Sequence, residues 1–240
     1  MLLVLDIPAD YRHFATALEF KEDKEMAVSL TKGEKVNLSK MVEKLANVTV
    51  GLGWDMASRG NSIDCDSSVF VLRENKKSVT KKVGGFLGLF AKTEQEEVVE
   101  AGLLSDSDIV YYGNLHHRNG CVNHRGDNLV GGHGKRNDDE QIAINLKNMP
   151  EDVKKLVVAV NIYNCRSRGQ HFGMIKNCYA RIVDDATKEE ICRYNLTDNY
   201  DSCTALIVGE LYRDDKEWHF KAIGKGTKDG SIAGLAKNYK

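Results

Sequence analysis

The sequence lacks the features that mark secreted, membrane-spanning and nucleic-acid-binding proteins. Its six cysteines form no CxxC pair and no framework spacing, which favours reduced core thiols in a cytoplasmic protein over a disulfide scaffold. No apolar run approaches the roughly 20 residues that a membrane-spanning helix needs. A formal net charge of −1 over 240 residues provides no basic field, so no nucleic-acid partner is expected.

Helical periodicity is scarce as well, and alternation of apolar and polar residues takes its place. Val48, Val50, Leu52 and Trp54 alternate with small or polar residues, which is typical of a strand with one buried face. The run 156–162 is almost continuously apolar, as in a central strand. Many short strands with polar turns predict a mainly β protein, an antiparallel β-sandwich with a few short helices.

Two hairpins are predicted from runs that flank charged turns. The first joins the strand-like residues before and after the turn 32–34, and the second joins 204–212 to 218–222. Helical pattern is confined to short stretches, including 38–45 and 231–239.

Two segments stand apart from this pattern. Residues 1–25 share no alternation with the rest of the chain, and we expect an N-terminal extension outside the functional domain at 26–240. Codons for Lys21–Glu25 can spell a bacterial ribosome-binding sequence, so Met26 is a candidate start; the alternative is an edge strand through residues 2–5. Residues 73–104 are an insertion between two strands, either a long hairpin arm or a helical excursion.

Acidic residues occur in four short clusters beside strand-like runs, at 64–68, 105–108, 126–128 and 138–140. Residues two apart on a strand share a face, so Asp64 and Asp66 point the same way. Parallel carboxylates repel one another unless a positive charge lies between them, and Ca²⁺ prefers six to eight oxygen ligands. The clusters therefore favour a calcium site, with ordinary solvated acidic turns as the alternative.

Other chemistries fit the same residues less well. Asp64-x-Asp66 resembles the nucleophile motif of haloacid-dehalogenase-type phosphatases, but the βαβ alternation of that fold is absent. A zinc site could use His116, His117, Cys121, His124 and His133. Their spacing matches no structural zinc pattern, so loop histidines are the favoured interpretation.

Four segments together resemble the TerD family of tellurium-resistance and stress proteins: 26–33, 48–55, 64–70 and 209–213. The resemblance runs from about Met26 to the C-terminus, apart from the insertion. It implies a calcium-binding β-sandwich without established enzymatic activity, acting in the stress response. The family's metal-binding motifs then correspond to Asp64, Asp66, Ser68, Asp106, Asp108, Asp127, Asn128, Asp138, Asp139 and Glu140. One departure is that Lys135 and Arg136 stand where an acid is expected, which predicts a weaker site there.

The insertion combines cations with apolar bulk. Four lysines lie between 76 and 82, and Phe86, Leu87, Leu89 and Phe90 come after them. This composition is typical of interfacial segments, so we expect protein partners, with membrane contact through 76–100 as one form of that interaction. The alternative is that the apolar residues pack on the sandwich.

Overall fold

The computed structural model describes residues 27–56, 63–83, 92–126 and 138–240, with the backbone alone at 56, 81–83 and 92–94. Several expectations lie outside the described residues: the extension 1–25, the apolar residues at the end of the insertion, His133, and the candidate ligands Asp127 and Asn128.

The described strands form two sheets, which confirms the predicted, mainly antiparallel β-sandwich. One sheet has the order β1-β11-β10-β3-β8-β7 and the other β2-β13-β12-β9-β4-β5, with β6 beside β4. The pair β1–β11 is parallel and the others are antiparallel. The strands are β1 Val28–Leu30, β2 Lys35–Asn37, β3 Asn47–Met56, β4 Cys65–Val83, β5 Lys92–Gly102, β6 Ile109–Val110, β7 Val122–His124, β8 Glu140–Asn145, β9 Val153–Ile162, β10 Ile175–Asp184, β11 Glu190–Asn195, β12 Ala205–Asp214 and β13 Glu217–Thr227.

Helices are short, and α1 and α3 begin at side-chain caps whereas α2 does not. The α-helices are α1 Leu38–Met41, α2 Cys165–Arg168 and α3 Ile232–Ala236. The side chain of Ser231 accepts a hydrogen bond from the Gly234 N–H (3.1 Å), which fixes the start of α3. A 3₁₀ turn at Lys237–Tyr239 comes directly after it, so the helical tail predicted at 231–239 is confirmed.

Two apolar clusters lie on the two faces of the second sheet. The main core fills the space between the sheets, and it contains Trp54, Trp218 and Phe220, as alternation predicts. A smaller cluster lies on the outer face, where Phe70 and Val157 meet α3. The second sheet is therefore buried on both faces, which explains why the run 156–162 has almost no polar residue.

The hairpin predicted around residues 32–34 is wrong. β1 pairs with β11 in the first sheet, whereas β2 pairs with β13 in the second. Alternation identifies a strand but not its partner, and the turn carries the chain from one sheet to the other. The second predicted hairpin is confirmed by β12 and β13, which pair from Ala205↔Thr227 to Asp214↔Glu217.

The insertion contains a long β-hairpin rather than a helical excursion. β4 and β5 pair from Arg73↔Gly102 to Val83↔Lys92. The neighbouring strand β9 pairs with β4 only as far as Arg73, so the hairpin continues beyond the sandwich as a two-stranded ribbon. We call this ribbon, residues 74–83 and 92–101, the arm.

A glycine in β3 makes room for an acidic side chain, and this gives a first prediction. A Cβ at Gly51 would overlap the Asp138 carboxylate. We expect Gly51→Ala to lower the free energy of unfolding by about 1–3 kcal/mol, because overpacking forces neighbours to shift. Urea denaturation measures the change. Gly234→Ala is the control, since its Cβ would come no closer than 3.3 Å to another side chain; an equal loss in both variants would contradict the prediction.

Candidate metal centre

The first acidic cluster lies where β4 begins. Asp64, Asp66 and Ser68 alternate with residues that face the main core, and they continue into Phe70 of the outer cluster. The prediction that Asp64 and Asp66 point to the same face of the strand thus agrees with the burial pattern. Asp64 and Asp66 are only 8% and 3% exposed, so these are buried carboxylates rather than solvated loop tips.

Strand β9 adds an amide oxygen that the sequence did not predict. Asn161 pairs with Asp66 in the register, and its Nδ2 donates to Asp66 Oδ2 (3.2 Å). Among the described residues, three buried oxygens in this row have no hydrogen-bond partner: Asp64 Oδ1, Ser68 Oγ and Asn161 Oδ1. The available signal for Asn161 was its polarity at the end of a continuously apolar strand.

Burial shifts the acidity of this cluster. Desolvation raises the pKa of the Asp64 carboxyl, the nearby Arg168 charge lowers it, and the Glu140 charge raises it. The ionised form is therefore destabilised by burial and by a like charge. A bound cation would oppose both effects.

The cluster at 138–140 is divided among three environments. Arg181 holds Asp138 through two hydrogen bonds, from Nε (2.7 Å) and Nη2 (2.9 Å), and Tyr179 donates a third (3.0 Å). The bond to Asp138 raises the pKa of Arg181. The Trp54 backbone N–H donates to Asp139 Oδ2 (2.8 Å). Asp138 is consequently neutralised by protein groups already.

Glu140 is buried with a histidine and a serine. The Ser67 backbone N–H donates to Glu140 Oε2 (2.6 Å). Because the Gly126 N–H donates to His124 Nδ1 (3.2 Å), the ring proton belongs on Nε2. That Nε2 lies 2.9 Å from Ser67 Oγ and 3.4 Å from Glu140 Oε2. His124 is buried in β7, so its interpretation as a loop histidine is wrong.

The cluster at 105–108 lies elsewhere and serves another contact. Asp106 is exposed and pairs with Lys240 (2.8 Å). Asp108 is fully buried and contacts Arg73 (2.9 Å), Arg118 (3.1 Å) and His117 (3.2 Å). His117 lies in a loop, as its interpretation as a loop histidine predicts, but it is buried there.

Distance separates this cluster from the first. Ile109 pairs with Phe70, six residues along β4 from Asp64, or about 20 Å. One ion therefore does not bind Asp64 and Asp108 together.

The described residues only partly assemble the predicted ligand set. They contain no group of three or more His, Cys, Asp or Glu side chains that could hold a metal ion. Asp64, Asp66, Ser68 and Asn161 nevertheless offer the hard oxygen atoms that Ca²⁺ prefers. Asp64, Asp66 and Asn161 fit part of a calcium site, which backbone carbonyls or water would complete. Ser68 lies about 13 Å along the strand from Asp64, so one ion does not bind both.

The cysteines are unsuited to nucleophilic chemistry. Five are buried, and Cys203 is intermediate. Burial raises the pKa of Cys178 and of Cys192 to about 12, and that of Cys65 well above its usual value. Since the thiolate is the nucleophile, these thiols are unreactive at neutral pH.

The sequence profile of the TerD domain matches residues 26–95 and 98–239. The chain belongs to the TerD domain family. The predicted resemblance is thereby confirmed over most of the sequence, and the match includes most of the arm.

Two relatives are named for the stress response and for tellurium resistance. This TerD protein is 41% identical to stress response protein SCP2 of Bacillus subtilis (strain 168), over 89% of this chain and 100% of that one. It is 37% identical to tellurium resistance protein TerD of Serratia marcescens, over 89% and 97%.

A solved structure shares the fold. The crystal structure of a homologue of telluride resistance protein (TerD) from Streptomyces coelicolor A3(2) matches with a TM-score of 0.50 and 16% identity, covering 79% of this chain and 98% of that one. In the described part of our TerD protein, no helix has the length and apolar character needed to cross a membrane.

The separation of the acidic clusters gives a second prediction. Asp108→Asn should destabilise the domain by about 3 kcal/mol, because it removes a fully buried carboxylate that pairs with Arg73 and Arg118. Arg73 would keep only its longer contact with the half-exposed Asp152 (3.6 Å). Asp106→Asn should change stability by less than about 0.5 kcal/mol, since an exposed ion pair contributes little. Urea denaturation in EDTA measures both. Equal effects of the two variants would contradict the assignment of Asp108 to a buried ionic cluster.

Proposed function

We propose that this TerD protein is a non-catalytic, calcium-binding stress-response protein. The observation that carries the proposal is the row of buried oxygens on β4 and β9. Asp64 Oδ1, Ser68 Oγ and Asn161 Oδ1 are without hydrogen-bond partners among the described residues, and leaving such atoms unsatisfied is costly. A cation beside Asp66 would remove that cost for Asp64 Oδ1 and Asn161 Oδ1. Ser68 lies four residues along the strand from Asp64, or about 13 Å, so the same ion would not reach both.

Several features support Ca²⁺ as the ion. The candidate ligands are carboxylate and amide oxygens, and a strand-mounted row does not impose the tight octahedral geometry that Mg²⁺ requires. Glu140 acts electrostatically on Asp64, so a divalent charge near Asp64 would relieve that repulsion as well. Asp127 and Asn128, which the family resemblance implicates, precede the strand that begins at Glu140 and are further candidate ligands.

The proposed role of the ion is structural. The names of two relatives, stress response protein SCP2 and tellurium resistance protein TerD, support a role of this chain in the same kind of response. On this proposal Ca²⁺ neutralises buried carboxylates at one end of the sandwich and stabilises the conformation that a protein partner contacts. We place this activity in the cytoplasm, consistent with six unpaired cysteines.

The arrangement of two groups of residues supports the proposal that the protein is not an enzyme. The phosphatase alternative needs Asp64 and Asp66 at the end of a parallel strand, but β4 pairs antiparallel with its neighbours. Ser67, His124 and Glu140 resemble a catalytic triad in composition only. Both partners approach the same histidine nitrogen, whereas a triad uses one nitrogen for each, and Ser67 is fully buried.

Calcium binding predicts a stability change. Saturating Ca²⁺, at about 100 times its dissociation constant, should raise the free energy of unfolding by about 2–3 kcal/mol, because an ion that binds only the native state stabilises it by mass action. Thermal melts in EDTA, millimolar Ca²⁺ and millimolar Mg²⁺ test this. Mg²⁺ should give the smaller increase in melting temperature.

Matched variants locate the effect. Asp64→Asn with Asp66→Asn should abolish most of the Ca²⁺-dependent shift, whereas the exposed Asp106→Asn should retain it. Identical melting of the parent protein in EDTA and in Ca²⁺ would sink the calcium proposal. An undiminished shift in the double variant would move the site away from β4.

The non-catalytic proposal predicts no hydrolysis of p-nitrophenyl phosphate above the buffer rate with Mg²⁺. The reason is that the Asp64–Asp66 row is buried and lies on an antiparallel sheet. A continuous absorbance assay measures the rate. Turnover that disappears in Asp64→Asn, and persists in Asp106→Asn, would favour the phosphatase alternative instead.

A further inference from the structure

The arm leaves the sandwich with an open edge on each side. On the β4 side, the Glu74 N–H donates to Asp152 O (2.8 Å), and no described strand pairs with β4 on that side beyond Arg73. On the other side, β5 ends the order of its sheet. Unpaired strand edges are templates for another strand, and an isolated two-stranded ribbon is only marginally stable in water.

Charge in the arm is segregated by strand. The β4 half contains Lys76, Lys77, Lys81 and Lys82, and the β5 half contains Glu94, Glu96, Glu97 and Glu100. Because the four lysines belong to β4 and the four glutamates to β5, the β4 edge of the arm is basic and the β5 edge is acidic. The arm therefore has two edges of opposite charge.

Contacts within the arm leave at least four of these charges accessible. Lys76 lies 3.7 Å from Glu97 and Lys77 lies 3.4 Å from Glu100, and all four side chains are about half exposed. Such exposed pairs contribute little and are screened by salt. Val79 and Val99 are also exposed, at 47% and 53%, although valine is usually buried in strands.

The charge pattern selects one kind of edge pairing between two copies. Pairing β4 with a second β4 would place lysines beside lysines, and pairing β5 with a second β5 would place glutamates beside glutamates. Like charges opposite one another destabilise a sheet, whereas opposite charges stabilise it. Only β4 beside the β5 of another copy satisfies this rule.

Size restricts the relative orientation of the two copies. A two-stranded ribbon is about 10 Å wide, and a six-stranded sheet is roughly 30 Å wide. Two arms that pointed the same way would force their sandwiches to overlap. Arms that point in opposite directions place the sandwiches at opposite ends.

We propose that the arm pairs edge to edge with the arm of a second copy of this chain. The basic β4 of one copy lies beside the acidic β5 of the other, with the two arms pointing in opposite directions. This contact is head-to-tail, so each copy retains one free edge for a further copy.

An anionic membrane is the less favoured partner of the arm. Residues 74–83 and 92–101 contain five lysines and five glutamates, so the arm has no net positive charge. Attraction to anionic lipid requires a basic excess near the surface. A second copy, by contrast, matches both edges.

Sedimentation velocity on the full chain tests the proposal. Between about 5 and 200 μM in 50 mM NaCl, we expect the average mass to rise above the 26.8 kDa monomer. In 500 mM NaCl the association should weaken at least tenfold, because exposed charges are screened. A monomer at every concentration in low salt would overturn the proposal.

Two arm variants test the charge pattern itself. Glu96→Lys, Glu97→Lys and Glu100→Lys together make both edges basic, and this variant should be monomeric. The second variant exchanges both complete sets: Lys76→Glu, Lys77→Glu, Lys81→Glu and Lys82→Glu on β4, with Glu94→Lys, Glu96→Lys, Glu97→Lys and Glu100→Lys on β5. It keeps the net charge and both intrachain pairs, so it should associate with itself but not with a labelled parent chain.

Either of two results would refute edge pairing by charge: association of the first variant like the parent, or mixing of the second variant with the parent. Circular dichroism should show the same folded sandwich in all three proteins. Co-sedimentation with phosphatidylserine vesicles tests the membrane alternative. Binding of a monomeric parent to these vesicles, lost in the second variant, would assign the arm to membranes instead.

Discussion

The rest of the structure depends on the burial of both faces of strand β4 along its first half, residues 65–72. Ser67, Val69 and Val71 face the space between the sheets, while Phe70 and Leu72 face a second apolar cluster under α3. Burial on both faces fixes the register of β4 against β9, because a slip of one residue would exchange the two sets. The same register places Asp66 beside Asn161 and buries carboxylates that would otherwise be solvated.

Local pattern predicted local structure, and it failed where partners are distant in sequence. The alternation of residues was sufficient to predict that Asp64 and Asp66 lie on the same face, since the period of a strand is two residues. It could not predict Asn161, which is 95 residues from its partner Asp66. Nor could it assign β1 and β2 to different sheets, because pairing is decided by contacts across the fold.

Acidic clusters that look alike in the sequence differ in what neutralises them. Asp108 has Arg73 and Arg118, and Asp138 has Arg181. Asp64 forms no ion pair among the described residues, and Arg168 acts on it only at a distance. In some clusters the protein's own arginines thus compensate the negative charge of the carboxylates. In the cluster at Asp64 an external cation is proposed to do so. The sequence could not make this division, because each arginine comes from another part of the chain.

The burial of the cysteines has a consequence for the survival of the protein under stress. Oxidants attack exposed thiolates, and such lesions advance from sulfenic to irreversible sulfonic acid. Five of the six thiols are enclosed by the sandwich, and Cys203 is only partly accessible. Oxidation of the five enclosed thiols would therefore require unfolding first, whereas Cys203 can be oxidised in the folded protein.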